Sequence, residues 1–222
     1  MTFYWQTTTT TPKSQHPSTA WANWKGWEFV YYDRIEWVEK TFELPKEFVV
    51  IADSWSIKGY LWDKGWVWSP EVYSFANDPF TVRDNNGQIL YQGLWKDIKN
   101  DVKAVGLKLT KNLHFFDPKN PEEIKTICIK GAGLKSWMEV FADENRNAPA
   151  FKRIKLDKVA EGKTWAVKYT YPVFAPATDL TAEDRVNQQK LWAELVNYKN
   201  QAKADAEAEE VAKEVADTEL PF

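Results

Sequence analysis

Cysteine and histidine are almost absent from this chain. Cys128 is the single thiol in 222 residues, so no internal disulfide can form and a reducing, cytoplasmic setting is expected. His16 and His114 are the only imidazoles, and with one cysteine they cannot supply an ordinary zinc-ligand set. His114 reads as a satisfied structural residue. No run of roughly 18 apolar residues exists, so no helical membrane span is expected. The start, Met1-Thr2-Phe3-Tyr4-Trp5 and then a threonine run, lacks the basic-then-apolar order of an export signal. Catalytic motifs are missing too. Gly131-Ala132-Gly133 has Ser136 where a dinucleotide fingerprint needs its third glycine, which leaves a tight turn as the expected role. Glu122/Glu123 and Asp143/Glu144 read as exposed pairs near turns, and no nucleophile constellation appears. No cofactor, no metal and no enzymatic activity are expected.

Aromatic residues are what the chain has in excess: 13 Trp, 9 Tyr and 12 Phe, or 15% of the sequence. Packed rings bury on the order of 150–250 Å² each, and a single domain of this size could use many of them internally. Thirteen tryptophans exceed what a core requires. Charge is also unevenly placed. Residues 202–222 carry seven acids and two lysines, which leaves 27 basic against 25 acidic residues in the rest. The body is mildly basic and the end strongly acidic, as suits a body that meets an anion.

Residues 1–20, with Thr7 to Thr11, Pro12 and Pro17, read as a flexible arm. Trp21, Trp24 and Trp27 at spacing three read as one face of a short helical or irregular turn. Strand-like runs follow at 36–44, 47–54, 57–62, 66–71, 80–84, 88–92, 107–115, 125–130, 151–156 and 165–171. Leu134, Trp137, Met138 and Phe141 form a helical stripe between late strands, and a second helix starts near Thr181 with Asp184 as a capping signal. Many short strands with one inserted helix predict a mainly β protein, an elaborated oligonucleotide-binding (OB)-like barrel at 21–175, with a β-sandwich as the alternative. A C-terminal helix at 176–203 and an acidic tail at 204–222 complete the expected division.

Three hairpins carry rings beside cations. Folding at Asp63-Lys64-Gly65 would set Trp62 opposite Trp66 and Tyr60 opposite Trp68 on one face, flanked by Lys58 and Lys64, with Leu61 and Val67 on the other. Either the rings form an open platform or they form the core. At Asn86-Gly87, Phe80, Val82, Ile89 and Tyr91 would share a core face and Arg83 the other; a four-residue turn at 84–87 would shift that register. The late hairpin gathers Lys152, Arg153, Lys155 and Lys168 with Trp165 and Tyr169, and Lys108 and Lys111 repeat the theme. Alternating rings and ammonium groups supply base stacking and phosphate neutralisation; a charged sheet edge with rings inside is the competing account.

The chain ends on Asp217, Glu219, Leu220, Pro221 and Phe222. This end resembles that of bacterial and bacteriophage single-stranded-DNA-binding proteins, whose acidic tails close on an acidic-apolar-Pro-Phe tip. The resemblance covers about the last twenty residues. It implies a body that binds exposed DNA strands without reading sequence, and a tip that recruits replication, recombination and repair enzymes. Expected partners are therefore single-stranded DNA and those enzymes, with no membrane and with a homo-oligomer left open. A carbohydrate-binding module is the alternative, because open tryptophans also stack on sugar rings.

Overall fold

The computed structural model describes residues 15–33 and 35–218, apart from the side chains of 206, 207 and 209–218. The order is β1 (Ser18–Lys25), β2 (Glu28–Asp33), β3 (Val38–Phe42), β4 (Val49–Leu61), β5 (Gly65–Trp68), β6 (Phe80–Arg83), β7 (Ile89–Gly93), α1 (Trp95–Ala104), β8 (Lys108–Asp117), β9 (Asn120–Lys130), α2 (Gly131–Val140), α3 (Ala148–Phe151), β10 (Lys152–Thr164), β11 (Val167–Asp179) and α4 (Ala182–Thr218). Residues 18–191 form one compact unit; residues 15–17 and 192–218 belong to a second, in which His16 stands edge-on to Tyr198 at 4.7 Å.

The protein is mainly β, as expected. Among the described residues, nine strands form one sheet in the order β3-β2-β1-β9-β8-β4-β5-β6-β7, and β10 pairs with β11. The order is linear, so the large sheet keeps edges at β3 and β7 where a closed barrel was expected. Along β4, Trp55 and Ile57 face one side while Ser54, Ser56, Lys58 and Tyr60 alternate to the other. The first side is the core. Near β1, β8 and β9 it is covered by Leu134 and Trp137 of α2, by Phe141 just after that helix, and by Ile154 and Phe174 of the β10–β11 hairpin. Near β4 to β7, Ile98 and Val102 of α1 cover Ile57, Val67, Phe80 and Val82. Each fully buried Phe, such as Phe48 against Phe115 at 4.8 Å, contributes roughly 1.5–3 kcal/mol. Gly59 belongs to this side because a Cβ there would lie 2.6 Å from Leu107 Cδ2.

The other side has a polar centre. His114 Nδ1 meets Thr126 Oγ1 at 2.9 Å and its Nε2 lies 3.2 Å from Ser54 Oγ. Asn112 Nδ2 donates to Ser54, Ser56 and Glu71, and its Oδ1 accepts from the Cys128 thiol at 3.3 Å. Paired polar groups of this kind contribute about 0.5–1.5 kcal/mol each and cost more when broken.

Four expectations need correction. Residues 18–33 form β1 and β2, not a helical turn: Trp24 packs on Phe29 at 5.0 Å while Trp21 faces the opposite side. Strand β1 thus opens inside the expected arm, whose residues 1–14 lie outside those described. Helix α1 was unforeseen, because its first residue follows Leu94 and carries no side-chain cap. In α2, Met138 is exposed although Leu134, Trp137 and Phe141 are buried. Finally, a bulge in β6–β7 pairs Arg83 with Ile89 and turns Ile89 outward, while Val82 pairs with Tyr91; the turn is the four-residue one, closed by Gly87 N–H on Asp84 O at 3.0 Å.

Candidate nucleic-acid interface

The β4–β5 hairpin turns one residue pair earlier than its sequence suggests. The Lys64 N–H bonds Leu61 O at 3.2 Å, and Gly65 follows with φ of 77°, a conformation that suits glycine. Tyr60 therefore pairs with Trp66, and Lys58 with Trp68; Trp62 is not opposite Trp66 but stands in the turn. A shift by two residues preserves the side on which each ring lies. The rings are open: Tyr60 is 61% exposed, Trp66 63%, Trp68 43% and Trp62 90%, whereas Val67 beneath them is buried. Tyr60 and Trp66 meet edge to face at 5.7 Å.

Register extends this face across the sheet. Lys108 pairs with Lys58, Lys58 with Trp68, Trp68 with Arg83, and Arg83 with Ile89, which makes one row over β8-β4-β5-β6-β7. Lys108 is exposed, and Arg83 Nη1 donates to Gly87 O at 3.2 Å. Lys58 is turned inward instead. Its Nζ lies 3.8 Å from Cys128 Sγ and 4.9 Å from the Trp21 ring centre. Burial pushes the Cys128 thiol pKa up, with the ammonium of Lys58 opposing that rise.

Several candidates from the sequence lie elsewhere. Lys111 is nearly buried on the core side, bound to Asp53 and 4.3 Å above Trp55, because β8 alternation sends it opposite to Lys108. Arg153 is held by Asp184 at 2.9 and 3.1 Å. Lys152 lies 3.5 Å from Asp179, and Lys155 3.5 Å from Asp157. Trp165 occupies the β10–β11 turn, 93% exposed with φ of 55°, and Lys168 and Tyr169 follow on the return strand. Asp217 belongs to helix α4, and Glu219, Leu220, Pro221 and Phe222 lie outside the described residues.

Two residues escaped the sequence reading. Trp27 joins Lys168 and Tyr169 around a concavity of about 320 Å³ at the β1–β2 turn. Tyr91 joins Tyr60, Trp62, Asp63 and Lys64 around a second of about 600 Å³ at the β4–β5 turn. A signal for the first existed: Lys25-Gly26-Trp27 repeats Lys64-Gly65-Trp66, and both glycines have positive φ. Strand β1 is parallel to β9, and β4 runs the same way through β8, so both turns lie toward one end of the sheet. Asn23 is level with Ser54 through Cys128 and Asn112, so the β4–β5 turn projects five residues, or roughly 16 Å, further along the strands. The arrangement offers flat apolar surfaces for ring ligands beside exposed cations for phosphates. No protein-family model, curated protein or solved structure matches the chain.

Proposed function

We propose that this protein binds single-stranded DNA without sequence selection at most positions, as a non-catalytic participant in replication, recombination and repair in the cytoplasm. The observation that carries the reading is the open row of Tyr60, Trp66 and Trp68 with Arg83 and Lys108 on the same side. Exposed rings add nothing to a core, and every base presents a π-face to them at about 1–3 kcal/mol per stack. Lys64 stands in the turn at the end of this row to meet a phosphate. This role needs an accessible ring-bearing sheet, and it does not depend on closure into an OB-like barrel. The acidic end supports it through its likeness to single-stranded-DNA-binding proteins, with Phe222 and its neighbours recruiting partner enzymes.

Titration with oligo-dT tests the reading. Tryptophan emission should quench strongly, duplex DNA should bind more weakly, and affinity should fall with salt. With Lys64, Arg83 and Lys108 each neutralising one phosphate, the log–log slope is about −2. A slope near zero, with unchanged emission, would overturn it.

A further inference from the structure

We infer that the concavity beside the Trp62-Asp63-Lys64 turn is a nucleobase pocket that prefers guanine. The inference rests on the strand-binding reading and adds to it a base choice at one position.

Two kinds of surface meet there. Tyr60, Trp62 and Tyr91 supply aromatic walls, and Asp63 and Lys64 supply one carboxylate and one ammonium, around a volume of about 600 Å³. Tyr60 borders the concavity and belongs to the ring row with Trp66, whereas Tyr91, paired with buried Val82, lies on the α1 side. A strand stacked along the row therefore brings one base to the pocket by passing over the Trp62-Asp63-Lys64 turn. The walls accept any base. The charged pair does not.

A carboxylate accepts hydrogen bonds through two adjacent oxygens and donates none, whereas an ammonium only donates. Guanine alone presents two neighbouring N–H donors, N1–H and N2–H, beside a carbonyl acceptor, O6. Asp63 can accept from both donors while the Lys64 ammonium donates a hydrogen bond to O6. Thymine offers one N–H between two carbonyls, so one carboxylate oxygen would face a carbonyl. Adenine and cytosine each set one amino donor beside a bare ring nitrogen, and again half of the carboxylate is opposed. Edge reading of an unstacked base held between rings is how single strands are discriminated.

The experiment uses the full chain and labelled dT oligomers with one central thymine replaced by dG, dA, dC or deoxyinosine, read by fluorescence anisotropy. A single dG should tighten binding roughly tenfold over dT, as one good bidentate contact does. Deoxyinosine, which lacks the N2 amine, should recover only part of that gain. In Asp63→Asn the ratio of dG to dT affinity should fall to about one. If dT binds and dG binds no tighter, the pocket inference is overturned while strand binding stands. If no oligomer binds, the strand-binding reading fails and takes this inference with it. The deoxyinosine comparison needs no variant, so it holds even where Asp63→Asn folds poorly.

Discussion

Arg153 grips Asp184 with two parallel hydrogen bonds, Nε to Oδ2 at 2.9 Å and Nη2 to Oδ1 at 3.1 Å, and so ties the start of β10 to the first turn of α4. The same carboxylate accepts from Thr181 N–H at 2.9 Å, and Asp184 N–H donates to Thr181 Oγ1 at 3.1 Å, which completes a reciprocal helix cap.

Replacing Asp184 with Ala should therefore destabilise the protein by about 2–4 kcal/mol, combining a lost cap with an unpaired guanidinium. Urea unfolding measures this. Burial raises the Asp184 pKa, but Arg153 and Thr181 outweigh it and the net shift is downward. A depressed carboxylate stabilises above its unfolded value and loses that contribution as pH falls through its folded one. The gap between wild type and Asp184→Ala should thus be constant near neutrality and close only below the ordinary value of 3.8.

Removing rings from the open row should cost binding and spare folding. Trp66→Ala and Trp68→Ala should each weaken oligo-dT binding by about 1–3 kcal/mol. Stability should fall by no more than about 0.5–1.5 kcal/mol, the contribution of an edge-to-face pair such as Tyr60–Trp66. A large drop in melting temperature with unchanged affinity would contradict the proposed role.

Lys108 and Lys111, three residues apart, should behave oppositely. Lys108→Ala should reduce the salt slope of strand binding by about 0.7. Lys111→Met should leave the slope alone and lower stability by about 1–3 kcal/mol, because Asp53 loses its partner and Trp55 its overlying cation.

Trp165 holds a left-handed φ of 55° at the first position of the β10–β11 turn, the place where Gly26 sits in the β1–β2 turn. Trp165→Gly should raise stability by about 1 kcal/mol by relieving that strain. If the ring serves the DNA strand, the same variant should bind oligo-dT less tightly, so that calorimetry and anisotropy move in opposite directions.

What the sequence disclosed follows the range of the forces involved. The Thr181 cap, the α2 stripe and the β4–β5 turn are local, and each was legible from residues a few positions apart. The exact pairing of Tyr60 was not, because choosing between a turn at Asp63–Gly65 and one at Trp62–Lys64 depends on the geometry at Gly65. Pairing of β1 with β9 joins Ala22 to Ile127, and no local pattern announces a partner so distant. Lys111 misled for a related reason: one strand sends alternate lysines to opposite sides, and which side is covered depends on α1, α2 and the late hairpin. Open rings on β4 and β5 were readable as one of two outcomes only.

The solitary thiol gives this molecule an internal clock. Cys128 is sealed at the middle of the sheet, between Lys58 and Asn112, with its ionisation suppressed by burial. Alkylation by iodoacetamide should then proceed only while β8 and β9 are apart, so the labelling rate of unaltered protein times the opening of its centre.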